Sequence, residues 1–113
     1  MKQIKAIIRP DLLDEVRKEL DKLECCRGIM VSELVGHGTQ NGITHSWGGE
    51  EYRIELLQKV CVDVVVKDDE VDAVTDAIIK SASIGQVGDG KIFIYNVEDV
   101  IRIRTGEHGE EAL

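Results

Sequence analysis

The chain is short of positive charge. Of its 113 residues, 14 are Lys or Arg and 22 are Asp or Glu, a formal net charge of −8. That argues against nucleic acid as a main partner, because binding along a phosphate backbone needs a basic face. Long apolar runs are missing as well. None is long enough to span a bilayer. The apolar stretch near the N-terminus is only Ala6-Ile7-Ile8 before Arg9, which is no secretory-signal pattern. A cytoplasmic protein with no direct membrane insertion is expected. Cysteines are few: Cys25 and Cys26 are adjacent and Cys61 stands alone. Such spacing is neither a disulfide framework nor a metal-ligand set, and ordinary reduced thiols suit a cytosolic chain. His37, His45, His108 and the many carboxylates form no evident nucleophile–base pair, so an enzyme would lack its reacting centre. There is no internal repeat and no low-complexity segment. The length predicts one domain over 1–113 with a modest core.

What is present alternates cleanly. Residues 3–9 read as a strand, and Pro10 and Asp11 then start a helix. Leu12, Val16, Leu20 and Leu23 recur on one face of it, and Gly28 follows as a stop. Residues 29–36 predict a second strand. Residues 58–67 predict the strongest one, with Val60, Val62, Val64 and Val66 along one face. Asp68-Asp69-Glu70 supply an N-cap and negative charge where a helix dipole favours it. Val71, Val74 and Ile78 stripe that helix. Residues 91–97 predict a fourth strand and 100–104 a short fifth. The tail over 106–113 is acidic and expected to be loose.

The order β-α-β-β-α-β is the split pattern of an α+β, ferredoxin-like fold. Both helices then cover one face of an antiparallel sheet. The other face carries Ile7, Met30, Cys61 and Val65, more apolar surface than a monomer usually leaves in water. Association into a symmetric oligomer would bury it. Residues 37–56 predict about twenty residues without structure, a length at which loops are usually functional or disordered. Gly38, Gly42, Gly48 and Gly49 suit a segment that changes conformation, and Trp47 is a candidate partner contact.

Candidate chemistry lies near the C-terminus. Val87-Gly88-Asp89-Gly90-Lys91-Ile92-Phe93 is a glycine turn that ends in a lysine. Ile101-Arg102-Ile103-Arg104-Thr105-Gly106-Glu107 places two arginines two residues apart, on one face if the segment is a strand. Glycines that permit close backbone approach, together with three cations, predict a polyphosphate site.

These motifs resemble the PII signal-transduction family of nitrogen metabolism over nearly the whole chain. The likeness runs from Ala6-Ile7-Ile8-Arg9-Pro10 through Gly36-His37-Gly38 with Gln40 and Gly42. It continues in Glu51-Tyr52, Lys59-Val60 and Gly85, and ends in the two C-terminal motifs. It implies a non-enzymatic homotrimer whose flexible T-loop, here about 37–56, engages a target such as an ammonium transporter, a nitrogen-metabolism enzyme or a regulator. It implies ATP or ADP in clefts between subunits, and 2-oxoglutarate at the loop base when Mg-ATP is present. Gly88, Asp89, Gly90 and Lys91 match the phosphate turn, and Arg102 and Arg104 the arginines that reach the phosphates. Ile7, Gly36 and Val65 match positions around the adenine, Met30 stands where a threonine commonly meets it, and Gly28 lies near the ribose. Gln40 matches the side chain that meets Mg²⁺ and the effector, beside Gly42. Lys59 matches the lysine on the effector's distal carboxylate. Tyr52 matches a tyrosine that some bacterial members carry as a uridylylation site. The chain departs from the pattern at Thr39, Asn41 and Gln58, where arginine, lysine and proline are common. Trp47-Gly48-Gly49-Glu50-Glu51 also lacks a common arginine. The alternative is a trimer of similar fold without 2-oxoglutarate sensing, either metal-responsive through His37, His45 or the cysteines or binding another small molecule.

Overall fold

The computed structural model describes residues 1–37, 43–47, 50–54 and 56–113, with side chains over 1–35 and 57–113. Strand β1, Lys2–Ile8, buries Ile4, Ala6 and Ile8 on one face, while Gln3, Lys5 and Ile7 on the other are half-buried. Pro10 opens a 3-10 turn, Pro10–Leu12, as its fixed φ and missing N–H favour at a first helical position. Helix α1, Leu13–Asp21, follows and buries Val16 and Leu20. Next come β2 (Met30–His37), β3 (Ile43–Trp47), β4 (Glu50–Ile54) and β5 (Leu56–Val66). A 3-10 turn over Asp68–Glu70 leads into α2, Val71–Ala82, and β6 is Lys91–Asn96.

The main sheet has the order β2-β5-β1-β6, with β1 antiparallel to both β5 and β6 and β2 antiparallel to β5. This is the expected ferredoxin-like arrangement. Its core lies under the two helices. Val60, Val62, Val64 and Val66 alternate inward and meet Ile4, Ala6, Ile8, Val16, Leu20, Val74 and Ile78. Fully burying one such side chain stabilises by about 1.5–3 kcal/mol, which makes this cluster the main source of cohesion.

The other face is mixed. Met30, Phe93 and Tyr95 are exposed, but Cys61 is buried there at 1% exposure. It donates from Sγ to Asp63 Oδ2, whose other oxygen accepts from Gln3 Nε2.

Three expectations are corrected and one is refined. Residues 37–56 are not a structureless connection: β2 reaches His37, β5 starts at Leu56, and β3 pairs with β4 between them. Asp68–Glu70 form a 3-10 turn that puts Glu70 at the N-cap position of α2, as expected, but its side chain makes no cap hydrogen bond to that helix. Glu70 accepts from the Lys67 N–H, and Asp68 pairs with the terminal ammonium and Lys2. The strand expected at 100–104 reduces to one bridge, Ile101 to His108. The Gly106 N–H donates back to the Arg102 carbonyl and closes a tight turn instead. The tail, expected to be loose, has defined contacts and a turn of its own. The His108 ring hydrogen-bonds Asp99, the Gly109 N–H donates to Asp99, and Gly109–Ala112 form a further 3-10 turn. Among the described residues, no helix is long and apolar enough to cross a membrane.

Candidate functional site

The glycine turn is built by the chain leaving α2. Gly85, Gly88 and Gly90 have φ of 78°, 99° and 105°, a region that disfavours any residue with a Cβ. Gly90 has a second constraint: a Cβ there would lie 1.7 Å from the Ile7 carbonyl oxygen. The turn therefore lies directly on the end of β1, next to the Ile7–Lys91 register pair. Asp89 closes it from within. Its Oδ2 accepts from the N–H groups of Ile84, Gly85 and Gln86 at 3.1, 3.0 and 3.3 Å. Burial pushes this carboxyl's pKa up. The N–H groups and Arg9 outweigh that and hold it below the ordinary value. Both Asp89 oxygens thus accept hydrogen bonds from within the fold.

Two cations hold the turn's outer edge. Arg9 Nη2 donates to the Val87 carbonyl at 2.9 Å, and its Nε to Asp89 Oδ1 at 3.3 Å. Lys59, in β5, donates from Nζ to the Gly88 carbonyl at 2.6 Å. Burial, with the Arg9 charge nearby, pulls the Lys59 ammonium's pKa below its usual value, and Asp89 partly offsets this. Lys91 is exposed, and its ammonium has no partner among the described residues. A cleft of about 320 Å³ opens beside it, lined by Ile7, Ile78, Ala82, Gly90, Lys91 and Ile92. A second hollow of about 350 Å³ is lined by Pro10, Glu33, Leu34, Gln58 and Lys59. Close-approach glycines and an exposed lysine fit the demands of polyphosphate oxygens.

The expected site residues separate into groups within one chain. Ile7, Lys59 and Gly88 to Lys91 gather at one end of the sheet. Gly36, paired with Leu57, lies just beyond Lys59. Val65 pairs with Gln3, four residues from Ile7 along β1, or about 13 Å at strand rise. Met30, on the edge strand, is 61% exposed, and a Cβ on Gly28 would meet nothing within 4 Å. Arg102 and Arg104 follow the far end of β6, whose six residues span about 17 Å. Arg102 is tied to the tail: Nη1 to Glu107 Oε1 at 2.8 Å and Nη2 to the Glu111 carbonyl at 3.0 Å. Arg104 is exposed. Gln40 and Gly42 lie outside the described residues. Tyr52 sits in β4, opposite His45, and its side chain is outside them too. No group of three or more His, Cys, Asp or Glu that could hold a metal occurs among the described residues. Cys25 and Cys26 Sγ are 3.7 Å apart, and burial first, then the neighbouring thiol, pushes Cys26 up to about 12. Arg9 carries no local signal of its role, because its partner Asp89 is 80 residues away in sequence.

Comparison with known proteins is consistent across the chain. The family model described as Nitrogen regulatory protein P-II matches residues 1–107. Nitrogen regulatory protein P-II 2 of Methanothermobacter thermautotrophicus is 51% identical over 113 residues, covering 100% of this chain and 97% of that protein. Nitrogen regulatory protein P-II of Nostoc punctiforme is 52% identical, and that of Pasteurella multocida 48%, each over 100% of both chains.

Proposed function

Because the chain belongs to the P-II family of nitrogen regulatory proteins, we propose that it is a non-enzymatic sensor that binds ATP or ADP at the Gly88–Lys91 turn. The observation that carries this is Gly90, held at positive φ against the Ile7 carbonyl beside Lys91, which is exposed and has no partner among the described residues. The arginines that would meet the phosphates come after the far end of β6, and Arg102 is held there by the tail. A neighbouring copy in a homotrimer would supply Arg102 and Arg104, together with Gly28, Met30 and Val65 for the nucleoside, while Ile7 and Gly36 come from the subunit that holds the turn. Arg102 would exchange its tail contacts for phosphate oxygens.

The second ligand is 2-oxoglutarate. It carries two carboxylates, and the protein has a net charge of −8. Lys59 can pair with one, at the hollow it lines beside Gln58 and Leu34. The other carboxylate and the keto oxygen need a cation, and Mg²⁺ held by ATP phosphates and Gln40 supplies it. Effector and Mg-ATP then bind cooperatively, with each tightening the other by the same factor. Residues 37–56, the T-loop position, carry the result to a protein target such as an ammonium transporter, a nitrogen-metabolism enzyme or a regulator. Tyr52 is the candidate modification site, and the protein works in the cytoplasm.

Titration of ATP into wild type, Arg102→Ala and Arg104→Ala tests the nucleotide reading. Each substitution should weaken ATP roughly ten- to a hundred-fold, the worth of a charged hydrogen bond, and weaken adenosine much less. Unchanged ATP affinity in both would remove these arginines from the site.

A further inference from the structure

Arg9 belongs to no group of residues that the nucleotide reading uses, yet its side chain joins the end of β1 to both Val87 and Asp89. We infer that Arg9 is a positioning residue: it clamps the Val87–Lys91 turn in the conformation that receives polyphosphate. This inference rests on the nucleotide reading above.

The geometry starts from the backbone. Pro10 bars its predecessor from helical φ/ψ, and Arg9 is extended at φ −66° and ψ 136°. That direction carries its side chain over the turn that Ile7, two residues earlier, supports from below. The guanidinium is planar and forked. It reaches a carbonyl with Nη2 and a carboxylate with Nε at once, and so fixes the residues on both sides of Gly88. Gly88, between them, is a soft point of the turn, because glycine has the most conformational freedom to lose. Holding Val87 and Asp89 removes that freedom before a ligand arrives, and preorganisation of this kind raises affinity without a new ligand contact. The arrangement is specific to arginine. A lysine has one point charge and cannot hold the two acceptors in a fixed plane. Arg9 is about 20% exposed and Asp89 about 21%, so the pair is largely withdrawn from water.

The experiment uses full-length wild type, Arg9→Lys and Arg9→Ala, with two readouts. The first is the amide spectrum of Gly88 and Gly90 without ligand. The second is calorimetry with ATP and with adenosine. Both variants should shift the two glycine amides. Both should lose roughly tenfold in ATP affinity, in line with a lost charged hydrogen bond, while adenosine affinity stays near wild type. Arg9→Lys keeps the charge and guards against a variant that fails to fold. Wild-type ATP affinity in Arg9→Lys would overturn the clamp, since charge alone would then suffice. Equal losses for ATP and adenosine would overturn it too, as the effect would not be on the phosphate turn. If wild type itself bound no ATP, the nucleotide reading would fall. The glycine amides would then judge the clamp separately, and unshifted amides in both variants would dismiss it.

Discussion

At the scale of single residues, the account turns on positions where geometry leaves no choice. Gly90 combines a φ of 105° with a backbone oxygen 1.7 Å from where a Cβ would be. Gly90→Ala should destabilise the fold by more than the ~1–2 kcal/mol of a left-handed non-glycine residue, and should abolish ATP binding. Thermal melts and calorimetry check both, and a variant with wild-type melting and binding would contradict the close packing on β1. The thiols give a pH prediction. Folded Cys26 keeps its proton up to about 12, whereas the ordinary thiol loses it near 9.0. Between those values the unfolded chain binds fewer protons, so stability should fall as pH rises through that window. Cys26→Ala should show less of this fall in denaturant titrations. Alkylation near neutral pH should be faster at half-buried Cys25 than at Cys26 or Cys61, both buried with raised pKa.

At the scale of elements, the core prediction is direct. Ile4 has 0% exposure in β1, between β5 and β6. Ile4→Ala should cost about 2–5 kcal/mol, read from the shift in urea midpoint. A shift worth less than 1 kcal/mol would show that the cluster collapses around the gap. These strands were legible in the sequence because their signal is local. Val60, Val62, Val64 and Val66 alternate, and Val16 and Leu20 recur at helical spacing. What the sequence hid depends on distant partners. Ile101-Arg102-Ile103-Arg104 alternates like a strand, but Arg102 is drawn to Glu107 and the tail carbonyls, and the chain turns. Ile43–Trp47 and Glu50–Ile54 are short and rich in polar residues, so the composition read as loop although the two segments pair. The glycine turn was legible from Gly88, Gly90 and Lys91. The Arg9 and Lys59 contacts that hold it were not, since each bridges elements far apart in sequence.

For the whole molecule, a single subunit divides the proposed site between two ends of its sheet, so assembly and ligand binding stand together. Light scattering should give three times the 12.6 kDa of one chain. Val65→Asp, on the sheet face away from the helices, should disrupt the assembly, because an unpaired charge buried in an interface costs several kcal/mol. It should weaken ATP binding at the same time. A Val65→Asp monomer with full ATP affinity would contradict a shared site. As proposed, this chain is a coupled sensor of nucleotide and carbon status. The most direct test is calorimetric titration of 2-oxoglutarate into the wild-type protein, once alone and once with saturating Mg-ATP. No measurable binding is expected alone, and saturable binding with Mg-ATP, lost in the Lys59→Ala, Gln40→Ala double variant. Equal 2-oxoglutarate affinity under both conditions, or full binding by the double variant, would contradict that coupling.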